Sequence, residues 1–309
     1  GQTGLFTVTY HAGTRGTVTG LPEPEAARGA FALSGQIPKR DGYIFLGWTA
    51  DEQSSEVIYT VNAAKDTDVY ALWGKGISYE FNGDAKGVTV SNGNVSVSPN
   101  GYLVCDTIGR DGDIRLIVDP FSVDPEAYRV VQMRMATDKK SFVQMFYKVE
   151  KTENGVTTRY GYDENGYRNA EDYCVYGEHK YVELDKWFNV EFNMYNTWRP
   201  GNPNWYMATA DKVIGLWIDI TNVPDATVYL DYLRILDVTR TVSYDPGTSD
   251  TVTGMPANKK TVFDTMYTVT GTPKREGYTF MGWSPTVAET VTADVTYIAQ
   301  WKRNGGHHP

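Results

Sequence analysis

Through residues 77–237 apolar and polar side chains alternate in short runs, a period of two that predicts half-buried strands rather than helices. Ile77-Ser78-Tyr79-Glu80-Phe81 alternates and stops at Asn82-Gly83-Asp84. Val88-Thr89-Val90 runs into Asn92-Gly93, and Val95-Ser96-Val97 into Asn100-Gly101, two strong hairpin signals. Tyr102-Leu103-Val104-Cys105 and Ile114-Arg115-Leu116-Ile117-Val118 follow, the second stopped by Asp119-Pro120. From Tyr128 to Met135 the alternation puts Val131, Met133 and Met135 on one side and Gln132 and Arg134 on the other. Phe142–Val149, Asp185–Phe192, Ile214–Asp219 and Val228–Ile235 complete the series, with no amphipathic helix among them. An antiparallel β-sandwich is the expected architecture.

Outside this region the chain repeats itself, and that sets the domain map. Pro38-Lys39-Arg40-Asp41-Gly42-Tyr43-Ile44-Phe45-Leu46-Gly47-Trp48 is answered by Pro273-Lys274-Arg275-Glu276-Gly277-Tyr278-Thr279-Phe280-Met281-Gly282-Trp283. Upstream, Thr17-Val18-Thr19-Gly20-Leu21-Pro22 matches Thr251-Val252-Thr253-Gly254-Met255-Pro256; downstream, Tyr70-Ala71-Leu72-Trp73 matches Ile298-Ala299-Gln300-Trp301. Tyr43, Phe45 and the residue after Gly47 are expected to share one strand face, with Gly47 allowing a close approach or a bulge. Trp48, Trp73, Trp283 and Trp301 read as core of domains too small to bury much else.

The repeated unit, Pro-x-Arg-x-Gly-Tyr-x-Phe-x-Gly-Trp with a closing aromatic-Ala-x-Trp or its near variant, resembles the Listeria–Bacteroides repeat related to internalin B-repeats. That resemblance implies a small β-grasp-like spacer on a secreted or wall-attached bacterial protein. The closing strands of the middle region, Ile214-Gly215-Leu216-Trp217-Ile218-Asp219 and Val228-Tyr229-Leu230-Asp231-Tyr232-Leu233-Arg234-Ile235, resemble those of galactose-binding-like jelly rolls, which often serve as carbohydrate-binding modules. The fold class is therefore mainly β: a central jelly-roll sandwich (76–239) between two β-grasp-like repeats (1–75 and 240–303), followed by a linker-like tail (304–309). The chain reads as a piece of a longer exported protein with further domains, and as a monomer.

Net charge is −9, without basic blocks, which argues against nucleic acid and anionic membrane as partners. No run approaches the roughly 20 apolar residues of a spanning helix, so membrane insertion is not expected. Cys105 and Cys174, the only two cysteines, lie in no metal or redox motif; a pair and two buried thiols both remain open. No catalytic motif emerges, neither a nucleophile elbow, a phosphate loop nor a zinc helix. His11 and His179 are the histidines considered as general bases, and neither has an evident partner nucleophile. The chain is read as no enzyme itself, though it could accompany one.

A sugar offers apolar C–H faces and a hydroxyl rim, so its site needs flat rings beside amides, carboxylates or guanidinium groups. Residues 160–206 provide both. Tyr160, Tyr162 and Tyr167 open a tyrosine-rich run, and Trp198, Arg199, Asn202, Trp205 and Tyr206 fill a Pro/Gly-rich loop. Trp198 is the leading candidate, whereas Trp205 reads first as a plug of the sandwich core. The jelly-roll resemblance further implies a candidate structural Ca²⁺, for which Glu80, Asp84 and Asp231 (with Asn82) are the oxygen ligands. The expected function is non-catalytic binding of a polysaccharide or glycoprotein glycan, extracellular or wall-attached. The alternative is an architectural or protein-binding adhesin segment.

Overall fold

A computed structural model describes residues 4–112, 114–118, 121–163, 166–168, 174–176, 185–194, 210–262 and 266–305. Its elements are all strands. β1 (Phe6–His11), β2 (Glu25–Ala27), β3 (Gly29–Ala32), β4 (Ile44–Thr49) and β5 (Thr60–Ala63) lead to a 14-residue strand, β6 (Thr67–Glu80). The middle of the chain supplies β7 (Val88–Ser91), β8 (Asn94–Val97), β9 (Leu103–Asp106), β10 (Ile114–Val118), β11 (Tyr128–Thr137) and β12 (Gln144–Glu153). It continues with β13 (Val156–Asp163), β14 (Gly166–Arg168), β15 (Cys174–Tyr176), β16 (Phe188–Asn193), β17 (Lys212–Thr221) and β18 (Thr227–Asp237). The last four are β19 (Thr239–Asp245), β20 (Lys259–Val262), β21 (Tyr278–Ser284) and β22 (Val295–Arg303). The chain divides into two compact units, one reaching Pro125 and resuming over Arg129–Asp237, the other formed by Glu126–Tyr128 and the chain from Val238 onward.

The middle region is a two-sheet sandwich. One sheet runs β16-β11-β18-β6, with β9 on β18 and β8 on β9; the other runs β14-β13-β12-β17-β10-β7, with β15 on β12. The alternation read from β11 holds: Val131, Met133 and Met135 are fully buried, facing a core that includes Leu116, Met145, Tyr147 and Ile218. Gln132 and Arg134 lie on the opposite, outer face, where Gln132 bonds Glu191 and Arg134 bonds Asp231. Cys105 is a buried free thiol, its pKa pushed up to about 12 by burial and, secondarily, by Asp106.

The two repeats are built alike. In the first, β1 pairs β2 antiparallel and β6 in parallel, Val8 opposite Thr67, while β4 pairs β6 antiparallel. In the second, β19 pairs β20 antiparallel and β22 in parallel, Val242 opposite Val295, while β21 pairs β22 antiparallel. Phe45 and Trp48 do share a face, although they are three residues apart, because the ladder slips between Phe45 and Gly47. A Cβ on Gly47, at φ +137°, would meet the Val57 side chain at 2.4 Å, so a glycine is needed there. The bulge lets Phe45 pack edge-on against Trp48 (4.9 Å) and Trp73 (5.7 Å); Phe280 meets Trp283 (5.1 Å) and Trp301 (5.7 Å) in the same way. The closing tryptophans are each anchored by an indole N–H, Trp73 to the Ala12 carbonyl and Trp301 to that of Pro246, both at 2.7 Å. Tyr43 does not join this ring cluster; it lies under the Arg40 guanidinium at 3.6 Å, as Tyr278 lies under Arg275 at 3.5 Å.

The first repeat and the sandwich share β6. Its first half pairs β1 and β4, and its second half, Lys75 to Glu80, pairs β18. Gly76 sits where the strand passes from one to the other, at φ +150°, and a Cβ there would lie 2.1 Å from the Ile235 carbonyl oxygen. On β18 the burial pattern changes accordingly. Val228 and Leu230 are buried while Tyr229 and Asp231 are partly open, but from Tyr232 to Ile235 every residue is buried. The first repeat covers that stretch: Arg234 donates to the Leu46 carbonyl at 3.0 Å, and the Tyr59 and Tyr232 hydroxyls lie 3.3 Å apart.

Candidate functional site

The outer face of the β16-β11-β18 sheet carries a cleft of about 280 Å³ lined by Tyr102, Ala136, Thr137, Asp185, Lys186, Trp187 and Tyr229. Its rings come from three distant segments. Tyr102 follows the Asn100-Gly101 turn into β9, Tyr229 points outward between the buried Val228 and Leu230 of β18, and Trp187 immediately precedes β16. Asp185, at φ +56°, turns the chain there and donates its N–H to the Thr137 carbonyl at 2.9 Å. Trp187, just ahead of the strand, is 37 % exposed, where an indole is ordinarily more covered.

Tyr102 stands edge-on to both neighbours, 5.6 Å from Trp187 and 5.6 Å from Tyr229, the geometry that fixes ring planes against one another. Hydrogen bonds from the side chains of Ser98 and then Asn100 hold the Tyr102 hydroxyl below the usual phenol range. Behind Trp187, the Arg134 guanidinium sits 5.0 Å from the indole and is paired with Asp231 at 2.9 Å. The result is a rigid, partly open aromatic wall with a lysine, an aspartate and an arginine at its edge. It can stack on an apolar face and hydrogen-bond a polar rim. Sequence reading passed over it. The signal was present in Asp185-Lys186-Trp187, a turn residue before a Trp before a strand, but Tyr102 and Tyr229 are brought to it only by non-local pairing: β9 on β18, Leu230 opposite Leu103, and β16 on β11 next to β18.

The residues singled out from sequence are placed differently. Trp198, Arg199, Asn202, Trp205 and Tyr206 lie outside the described residues, as does His179. Tyr160 pairs with Val149 across β13 and β12, and Tyr162 faces Tyr167 across β13 and β14, at the edge of the second sheet. The three carboxylates proposed for a cation each have a cationic partner: Glu80 with Arg234 at 3.1 Å, Asp231 with Arg134 at 2.9 Å, Asp84 with Lys86 at 3.8 Å. Among the described residues no group of three or more His, Cys, Asp or Glu side chains is placed to hold a metal ion. His11 bonds Asp68 at 2.8 Å and stacks on Tyr70 within the first repeat.

Comparison with curated proteins finds no match. Among solved structures, the chain is similar to the C-terminal CBM6 of LamC from Zobellia galactanivorans (9 % identity, 53 % of this chain and 100 % of that one, TM-score 0.29). It is also similar to the CBM22-1 xylan-binding domain of Paenibacillus barcinonensis Xyn10C (15 % identity, 53 % and 96 %, TM-score 0.29). A third is a putative glycoside hydrolase from Bacteroides vulgatus (10 % identity, 68 % and 98 %, TM-score 0.27). The shared ladders and ring pairs of the two repeats have their counterpart in sequence: residues 6–72 match the Listeria-Bacteroides repeat domain and residues 240–305 the Divergent InlB B-repeat domain, so along the chain one such repeat precedes the β-sandwich and one follows it.

Proposed function

We propose that the sandwich is a non-catalytic glycan-binding module of an extracellular bacterial protein, with a jelly-roll topology and with the β-grasp-like repeats acting as spacers. The observation that carries this reading is the exposed Trp187, fixed edge-on by Tyr102 beside Tyr229 in an open cleft rimmed by Lys186 and Asp185. An indole left at the surface and held in one orientation loses little entropy on stacking against a sugar face. Trp198, Arg199, Asn202, Trp205 and Tyr206, with Tyr160, Tyr162 and Tyr167, are proposed as further contacts on the strength of their composition.

Affinity electrophoresis of the whole chain against plant, starch, yeast and mucin polysaccharides tests it, with Trp187→Ala and Trp198→Ala alongside. Retardation by at least one polysaccharide, weakened about tenfold or more in Trp187→Ala, is expected for an aromatic anchor worth about 1.4 kcal/mol or more. No retardation on any gel moves the assignment to an architectural or protein-binding adhesin segment. Retardation that Trp187→Ala leaves intact and Trp198→Ala abolishes moves the site to the loop.

A further inference from the structure

A second cleft, also of about 280 Å³, lies on the same outer sheet face beside the first. One wall belongs to the sandwich, with Asn82, Asn100, Arg134 and Asp231; the other belongs to the first repeat, with Gly35 and Tyr59. Three observations join it to the Trp187 cleft. The Arg134 guanidinium lies between two rings, 3.7 Å from that of Tyr59 in one cleft and 5.0 Å from that of Trp187 in the other. Asn100 lines the second cleft and Tyr102, two residues on, lines the first. On β11, Arg134 and Ala136 line the second and first clefts respectively, two positions apart on one face and so about 7 Å along the strand. On β18, Tyr229 and Asp231 are offset in the same way.

The chemistry of the second cleft selects its occupant. Both arginines that line it are matched by carboxylates, Arg134 by Asp231 and Arg234 by Glu80, so it carries no net charge with which to capture an ion. The exposed carboxamides of Asn82 and Asn100 offer donors and acceptors together, the pattern that hydroxyl groups require.

We infer that the two clefts form one continuous groove for a neutral oligosaccharide chain longer than a disaccharide, and that the first repeat supplies one wall of it rather than serving only as a spacer. The inference rests on the glycan-binding reading of the Trp187 cleft and extends it to the ligand's length and charge. Because β6 runs unbroken through both parts, the repeat wall is held in register with the sandwich wall, and a chain bound across them does not have to order the groove first.

The test is a calorimetric length series on the whole chain: disaccharides to hexasaccharides of glucose, xylose, mannose and galactose, and the matching series of galacturonate. Gly35 lines the second cleft, its Cβ position meets nothing within 4 Å, and its backbone does not need a glycine. Gly35→Trp therefore blocks the repeat side without touching the Trp187 cleft, and Asn82→Ala removes hydrogen bonds there without adding bulk. Wild type is expected to bind the hexasaccharide of one neutral series about tenfold or more tighter than its disaccharide. Both variants should keep the disaccharide affinity and lose most of that gain. A gain that survives in both variants, or no gain with length, overturns the composite groove and leaves the Trp187 cleft standing. Tighter binding of the galacturonate series overturns the assignment to a neutral chain. Binding of no oligosaccharide at all overturns both this inference and the glycan-binding reading beneath it.

Discussion

Arg234 is the side chain on which the junction of first repeat and sandwich most depends. It is 5 % exposed, donates through Nη1 to the Leu46 carbonyl at 3.0 Å and through Nη2 to Glu80 at 3.1 Å, and lies 3.6 Å over the Tyr232 ring. Arg234→Met keeps most of the volume and removes all three interactions. Hydrogen bonds to a charged group contribute about 1.5–3 kcal/mol each, and breaking a buried pair by deleting one partner costs about 3–5 kcal/mol. Here the Glu80 side chain is 28 % exposed and can recover some hydration, and the arginine's own desolvation is relieved, which places the loss near the bottom of that range, about 3 kcal/mol. For a unit of this size each kcal/mol moves Tm by about 2–4 °C, so the first unit should melt about 6–12 °C lower. Scanning calorimetry of the whole chain reads this directly, with the transition of the second repeat as an internal reference because none of these residues belongs to it. Adding Glu80→Gln should restore part of the loss, since the carboxylate is no longer left without its cation. A shift below about 2 °C in the single variant, or no recovery in the double, would refute the clamp.

Two further outcomes follow from the same structure. Gly76→Val should destabilise the first unit by more than about 1 kcal/mol in urea unfolding, because it forces a β-branched residue to φ +150° against the Ile235 carbonyl; an unchanged midpoint would mean that β6 does not cross at that point. Between pH 9.0 and about 12 the buried Cys105 keeps its proton in the folded chain and loses it in the unfolded one. The unfolded state then binds fewer protons, so stability falls as pH rises through this window. Cys105→Ala should flatten that fall by up to about 1.4 kcal/mol per pH unit in chemical denaturation at alkaline pH, and an unaltered slope would mean the thiol titrates normally.

The alternation of β11, the hairpin turn around residue 100 and the doubling of the terminal repeat were legible in the chain, because each is a local pattern. Asn92-Gly93, read as a second hairpin, instead carries the chain from β7 in one sheet to β8 in the other, a crossing that only the pairing of β7 with β10 and of β8 with β9 decides. The ring cluster of each repeat was only half legible. Phe45 and Trp48 are the wrong distance apart for one strand face, and a bulge that reconciles them appears only once the ladder with β6 is formed. The tyrosine-rich run drew attention by composition, yet the described cleft is built from Tyr102, Trp187 and Tyr229, separated by 85 and 42 residues.

By itself, then, the sequence determined that the chain is mainly β, where its repeats lie, and which faces of its strands are apolar. Only the tertiary structure decided that β6 serves two sheets at once, that Arg134 stands between Tyr59 and Trp187, and that Trp187 is left at the surface. The reason is physical: periodicity in sequence encodes the face a residue takes on its own strand, whereas strand neighbours, and therefore what covers or exposes a ring, are fixed by non-local hydrogen-bonded pairing.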